Sequence, residues 1–146
     1  MVLVCRLAGL AIFVLAFFLP GVSSGAPGDL TATVYPGYKC ASLALSETMT
    51  LFGKAVQGTP PLAAWMLTFS GWLNPLIGIV LILSFWRRAL MARRIVGVLV
   101  ILCMVSSWTF FAEEKLTPLI GHYLWIVGAL LILLPDVLPG REAQRA

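Results

Sequence analysis

The segment LILSFWRRALMARRIVGVLVIL, residues 81–102, places four arginines between two apolar runs that contain no charged residue. The whole chain is 60% hydrophobic and 11% charged, whereas soluble proteins are about half apolar and about one quarter charged. A basic cluster in such a chain is typical of a short loop between two membrane-spanning helices, and this loop is too short to form a surface that reads nucleic acid. The sequence therefore predicts an integral membrane protein whose first partner is the lipid bilayer, with no nucleic-acid partner.

Three apolar blocks have the length that a helix needs to cross the membrane, about 20 residues for about 30 Å of hydrocarbon. They cover residues 62–86, 95–111 and 118–134. A further apolar block at residues 3–20 is either an uncleaved first helix or a signal peptide removed before Ala26. The predicted fold is an all-α membrane protein that forms a single membrane domain over residues 1–146. It has four transmembrane helices, and the alternative for the first of them is a signal peptide.

A shorter segment, residues 41–57, carries apolar side chains at helical spacing with polar side chains between them. Gly58 and Pro60 follow it and are typical helix stop signals. This pattern predicts one extracytoplasmic amphipathic helix that lies against the outer membrane surface or covers the bundle. The Gly- and Pro-rich stretch before it is expected to be an irregular loop.

The arginine cluster also predicts the orientation of the chain, because short cytoplasmic loops accumulate Lys and Arg. Arg87, Arg88, Arg93 and Arg94 are therefore the expected topology determinants on the cytoplasmic side. Following the chain outward from them places both termini in the cytoplasm. Every arginine is then inside and every lysine outside, with an overall formal charge of +4.

Charged groups at membrane depth commonly mark ion or substrate pathways. No Asp, Glu, Lys or Arg occurs within residues 62–86 or 95–111, and Asp136 is expected just beyond the last helix. This pattern argues against a proton-coupled pump, which needs a carboxylate inside the membrane.

The block at 62–86 contains one notable polar residue, Asn74, which is followed by Pro75. Asn74 shares a helix side with Gly71 and Gly78, and small residues allow another helix to approach closely. We expect Asn74 to bind a neighbouring helix, with a ligand or gating role as the alternative. Pro75 removes a backbone hydrogen bond and is expected to kink the helix.

His122 is the only histidine, and one histidine cannot form a metal site alone. It is expected to be a hydrogen-bonded residue near the membrane interface.

The cysteines, Cys5, Cys40 and Cys103, include no C-x-x-C pair, so a thiol oxidoreductase is not indicated. Cys40, expected outside, is either a free thiol or half of an intermolecular disulfide. The sequence predicts no catalytic, cofactor or metal site and no enzyme activity.

Three short motifs, PGYKC at 36–40, GWLNPL at 71–76 and GHYLWIVGALLIL at 121–133, give the chain a family likeness. With them it resembles a loose group of small bacterial inner-membrane proteins to which no activity is assigned. The resemblance implies a bacterial cytoplasmic membrane and a shared helix interface. The interface residues are Gly71, Trp72, Asn74, Pro75, Tyr123 and Trp125, and Gly78 and His122 join them as candidates from the residue pattern.

The predicted function is that of a non-enzymatic multi-pass protein of the cytoplasmic (inner) membrane, which binds another membrane protein or itself as an interaction or assembly component. A small oligomeric transporter or channel is the alternative. Oligomerisation would be needed because four short helices without polar lining cannot enclose a pathway by themselves.

The arginine cluster yields a topology prediction that labelling can check. Single cysteines placed at residue 90 and in the C-terminal tail should be protected from a membrane-impermeant thiol reagent in intact cells, because both lie inside. Cysteines at residues 40 and 114 should be labelled. Labelling of residue 90 in intact cells would show that the predicted orientation is wrong.

Overall fold

The computed structural model describes residues 2–25, 31–55 and 62–137, which form a mostly helical bundle. Its helices are α1 (Val2–Ala16), α2 (Gly37–Ala55), α3 (Leu62–Gly71), α4 (Leu73–Leu83), α5 (Leu90–Glu113) and α6 (Ile120–Val137). Its strands are β1 (Pro20–Ser23), β2 (Val34–Pro36) and β3 (Thr117–Pro118), and a single 3-10 turn at Arg87–Ala89 leads into α5. The prediction of a mainly helical protein is confirmed, but the all-α prediction is wrong because a small sheet is present.

Helices α1 and α6 run in opposite directions and touch through glycine. A Cβ atom placed on Gly128 would lie 2.6 Å from the backbone nitrogen of Phe13 and 2.8 Å from the carbonyl oxygen of Gly9. Real Cβ atoms do not approach other atoms this closely, so this crossing depends on the missing side chain. The same approach lets the Phe13 ring stack on the Trp125 ring, with their centroids 6.2 Å apart.

The small sheet joins three distant parts of the chain at one end of the bundle. Strand β1 lies in the centre and pairs antiparallel with β2 on one side and β3 on the other. The sheet thereby connects the end of α1, the start of α2 and the turn between α5 and α6. Further backbone bonds hold the same junction, including Gly37 N–H to the Leu19 carbonyl at 3.0 Å and Leu119 N–H to the Gly21 carbonyl at 2.8 Å.

The turn that delivers β3 to the sheet begins with a tight helix end. Lys115 has a positive φ of 52°, and the Leu116 N–H donates to the Phe111 carbonyl at 2.9 Å. This is the hydrogen bond of a Schellman cap, in which the residue after the helix adopts the left-handed conformation. The cap reverses the chain sharply enough for α6 to pack back along α5.

Pro75 explains why the predicted 62–86 span is not one continuous helix. Proline has no N–H to donate to the carbonyl four residues earlier, and its ring crowds that carbonyl. The residue four positions before Pro75 is Gly71, where α3 ends, and α4 begins at Leu73 after the turn residue Trp72. The block is therefore two short helices with a break between them.

Among the described residues, only α5 and α6 are long and apolar enough to cross a membrane by length and composition. Helix α5 begins at Leu90, ahead of the predicted 95–111 span, and α6 runs to Val137, beyond the predicted 118–134 span. Helix α1, expected over 3–20, has only 15 residues. The prediction of four transmembrane helices is thus not supported.

The predicted amphipathic helix over 41–57 corresponds to α2, which begins earlier, at Gly37, directly after β2. Residues 56–57 lie outside the described residues, as does Ala26, the position of the alternative cleavage site. Helix α2 packs closely on α3. This is shown by Gly71, where an added Cβ atom would lie only 2.7 Å from the Ala44 carbonyl oxygen. Helix α2 therefore covers one end of the bundle.

The bundle is apolar on its outside as well as in its centre. The central side chains contributed by α4, α5 and α6 are fully buried, namely Leu73, Ile77, Val80, Val100, Ala129 and Ile132. The same helices expose large apolar side chains, including Ile82, Val98, Leu102, Val105 and Leu130. Helices that are apolar all round suit either the interior of a large protein or a bilayer.

Gly128 and Gly78 both lie in helices, but a Cβ atom would be crowded at Gly128 and free of contacts at Gly78. Gly128→Ala should lower the free energy of unfolding by about 1–3 kcal/mol, because the added methyl group must push α1 away from α6. Gly78→Ala should cause no loss, since a Cβ atom there meets nothing within 4 Å and alanine favours the helix. Unfolding of the purified variants in mild detergent, followed by circular dichroism, measures both. An equal loss in the two variants would contradict the close α1–α6 crossing.

Candidate functional site

A buried carboxylate forms the polar centre at the end of the bundle opposite the sheet. Arg6 Nη2 donates to both oxygens of Asp136 at 2.8 Å, and Arg93 Nε donates to Oδ1 at 2.9 Å. The side chains are 12%, 11% and 5% exposed for Arg6, Arg93 and Asp136 respectively. We call these three residues, with Arg94, the ionic cluster. Charge-assisted bonds of this kind are stronger than neutral ones.

The ionic cluster joins helices that are far apart in the chain. Arg6 comes from α1, Asp136 from α6, and Arg93 from α5. The Nη1 atom of Arg93 also donates to the carbonyls of Leu83 and Trp86 at 3.1 Å each, where α4 has ended. Each carbonyl also accepts a backbone N–H in the turn after α4, Leu83 from Trp86 and Trp86 from Ala89. The guanidinium is a second donor to both, and a cation is favourable near the C-terminal end of a helix.

Two of the four predicted topology arginines take part in this arrangement. Besides Arg93, Arg94 Nε donates to the Asp136 carbonyl oxygen at 3.1 Å. Arg88 is exposed, and the side chain of Arg87 lies outside what the structure describes. The expectation that Asp136 lies beyond the last helix is wrong, because α6 continues through Pro135 and buries the carboxylate.

A cavity of about 310 Å³ lies at the sheet end of the bundle, between α1, α2, α5 and α6. Its walls are mostly apolar, with the aromatic rings of Phe17, Phe110, Phe111 and Trp125 among them. None of the described residues that line it carries a formal charge. Mainly apolar cavities with a few polar groups are typical of small-molecule sites.

His122 lies in the wall of this cavity and is 6% exposed. Aromatic rings surround its imidazole, with centroid distances of 4.7 Å to Phe111, 5.5 Å to Trp125 and 5.6 Å to Trp108. Its Nε2 atom is buried and has no hydrogen-bond partner among the described residues. A buried polar atom in this state needs an explanation, since such groups are nearly always bonded to protein or to another molecule.

Asn74 also lines the cavity, and its amide is held in one orientation. The indole N–H of Trp125 donates to Asn74 Oδ1 at 2.9 Å. An indole nitrogen can only donate, so the amide oxygen must face it and the Nδ2 atom must lie on the other side. The bond joins α4 to α6 next to the position where Pro75 interrupts the preceding helix.

The predicted interface residues fall into two groups. Gly71, Asn74, His122 and Trp125 meet around the cavity, where they join helices of this one chain. The remaining residues do not line it. Tyr123 is exposed beside Trp108, and Trp72 is exposed in the turn between α3 and α4. Pro75 is half-buried at the start of α4, and Gly78 faces open space. Sequence reasoning selected the polar positions but did not indicate that they surround a cavity.

Cys40 lies in the cavity wall, and no disulfide joins it to Cys5 or Cys103 within this chain. Its Sγ atom lies 3.8 Å from the Tyr35 carbonyl oxygen. Burial raises the pKa of the Cys40 thiol above its ordinary value, and a backbone hydrogen bond opposes that rise. The thiol is therefore a poor nucleophile at neutral pH.

The described residues contain no group of His, Cys, Asp and Glu that could hold a metal ion.

Comparison of the chain with protein-family models, curated proteins and solved structures found no match.

The ionic cluster predicts a large effect of one isosteric substitution. Asp136→Asn should lower the free energy of unfolding by about 3–5 kcal/mol, because it leaves the partly buried guanidinium groups of Arg6 and Arg93 without a counter-charge. The matched control is Glu113→Gln, an exposed acid at the end of α5, which should change stability little. Both are measured by denaturant unfolding in mild detergent. Wild-type stability of Asp136→Asn would show that the cluster does not hold the bundle together.

Proposed function

We propose that this chain is a non-enzymatic, multi-pass integral membrane protein of the bacterial cytoplasmic membrane that acts as an interaction or assembly component. The apolar exterior supports a membrane location, because exposed patches of this extent are rare on soluble monomers. Helix α5 alone exposes Ile95, Val98, Leu102 and Val105. In water these side chains would favour aggregation, whereas in a bilayer they face lipid.

The arrangement of charges supports the proposed orientation. Arg6, Arg93, Arg94 and Asp136 come together at one end, and that end is proposed to face the cytoplasm with both termini. The sheet and α2 then lie on the outer side. Helix α1 has 15 residues, about 22 Å at 1.5 Å per residue, so we propose that it shares the bilayer with α6 by local thinning of the membrane.

The observation that carries the proposal is the solid packing between the two polar regions. Along α6, the cavity residue His122 comes first, the buried Ala129 and Ile132 follow, and Asp136 comes last. Helix α5 passes the ionic cluster, the buried centre and the cavity in the opposite order. The central side chains are 0–1% exposed at Leu73, Ile77, Val80, Val100, Ala129 and Ile132. No continuous polar path runs through the described residues, which supports a structural role over transport through one chain.

The charges in the ionic cluster support the same conclusion. A carboxylate that carries protons or cations needs to be free to change partners, whereas Asp136 already accepts three bonds from two arginines. Buried ion pairs of this kind fix one arrangement of the helices. The protein is therefore built as a rigid unit that presents its outer surface to a partner.

One part of that surface suits a partner helix. Gly78 on α4 has open space beside it, and the neighbouring Ile79 and Ile82 are exposed. A small residue flanked by apolar side chains allows a transmembrane helix to approach the backbone closely. The proposed partner is such a helix, from another membrane protein or from a second copy of this chain.

The proposal predicts the behaviour of the protein purified in mild detergent. Mass determination of the whole particle should find a complex rather than a monomer, and Gly78→Leu should release the partner while the chain stays folded. Gly78→Leu adds bulk where nothing of this chain lies within 4 Å, so the variant should keep the helical circular dichroism spectrum of the wild type.

The matched control is Ala112→Leu, which adds the same side chain at an exposed position on α5 and should leave the complex intact. A monomeric wild-type particle would contradict the assembly role. Ion or solute flux through a homo-oligomer in liposomes would instead establish the transporter or channel alternative.

A further inference from the structure

The cavity at the sheet end contains one buried polar atom that the described residues leave without a partner. The Nε2 atom of His122 is buried without a partner among the described residues. The Nδ2 atom of Asn74 is a second hydrogen-bond donor, since the opposite side of its amide is taken by Trp125. Both residues line the same cavity of about 310 Å³. Their shared position indicates a ligand rather than a packing defect.

The state of His122 is the stronger of the two observations. Leaving a buried polar atom unbonded costs about 1–3 kcal/mol, and none of the rings around His122 forms a hydrogen bond with Nε2. The side chain is held in this place by Phe111, Trp108 and Trp125. A molecule in the cavity that hydrogen-bonds to Nε2 would remove this cost.

The walls define the chemistry of that molecule. Aromatic rings from α5, from α6 and from Phe17, just after α1, form part of the lining, and no described lining residue is charged. Such walls favour a flat, uncharged ring and disfavour an ion. A volume of about 310 Å³ lies at the lower end of small-molecule sites, about 300–1,000 Å³, so the ligand is a ring compound of modest size rather than a whole lipid.

The two polar groups define its substituents. Asn74 Nδ2 can only donate, and His122 Nε2 donates when the imidazole carries its proton there. Carbonyl oxygens on a ring accept both bonds and add no charge. We propose that this cavity binds an uncharged lipophilic ring compound with carbonyl oxygens, the chemistry of a quinone headgroup, held by hydrogen bonds from His122 and Asn74. This inference goes beyond the assembly role and does not depend on the partner.

The test uses the full-length protein in mild detergent and two probes of the same shape. Menadione carries two ring carbonyls, and 2-methylnaphthalene has the matching ring body without oxygens. Equilibrium dialysis should find saturable binding of one menadione per chain, with 2-methylnaphthalene at least about tenfold weaker, since one lost hydrogen bond is worth about that factor. Equal affinity for the two probes would overturn the proposal, because the cavity would then be only an apolar space.

Variants identify the groups responsible. His122→Phe and Asn74→Leu should each weaken menadione binding by about tenfold while leaving the affinity for 2-methylnaphthalene nearly unchanged. Tyr123→Phe is the matched control, because Tyr123 follows His122 on α6 but is exposed and does not line the cavity. It should bind menadione like the wild type. Normal menadione binding by folded His122→Phe would refute the assignment.

A measurement on the unchanged protein keeps the test valid even if a variant fails to fold. His122 is the only histidine, so selective ¹⁵N-histidine labelling reports on one imidazole. Addition of menadione should shift the Nε2 resonance, and 2-methylnaphthalene should not. An Nε2 resonance that stays unchanged at saturating menadione would overturn the proposal, and it would identify water or empty space as the content of the cavity.

Discussion

The carboxylate of Asp136 between the guanidinium groups of Arg6 and Arg93 is the interaction on which the rest of the structure depends. Two partly buried positive charges would be unfavourable without it, and one buried negative charge would be unfavourable without them. Because the three side chains come from α1, α5 and α6, their pairing fixes the register of these helices along one another. The Arg93 bonds to the Leu83 and Trp86 carbonyls extend the same constraint to the end of α4.

This register brings the remaining close contacts into place. With Arg6 beside Asp136, antiparallel helices α1 and α6 meet at Gly9 and Gly128, and then at Phe13 and Trp125. The chain leaves α1 at the height where the turn after α5 returns, so β1 can pair with β3. The glycines and the ionic cluster set the spacing of α1 and α6. The cavity is the space that remains where α2 and the sheet cover the ends of these helices.

Sequence reasoning predicted a mainly helical, apolar protein, because composition is a strong signal. It expected His122 to be hydrogen-bonded, whereas the Nε2 atom is buried without a partner among the described residues, because the surrounding aromatic rings are tertiary neighbours. It missed the sheet, since strands of two to four residues are too short for an alternating pattern to appear. It read Pro135 as a stop, although a proline near a helix end is tolerated when the freed carbonyl finds other partners. Because of that error, the burial of Asp136 was not predicted. The pairing of Asp136 with Arg6 is a tertiary contact that no local sequence pattern contains.

The pairing of Arg6 with Asp136 has a consequence for the order of events during synthesis. The two residues are separated by 130 positions, so the first helix is complete long before its counter-charge exists. Until Asp136 has been synthesised, the guanidinium groups of Arg6 and Arg93 must be solvated by water or paired with other groups. Their burial against Asp136 therefore follows the synthesis of α6, and nascent chains that stop short of Asp136 would lack this contact.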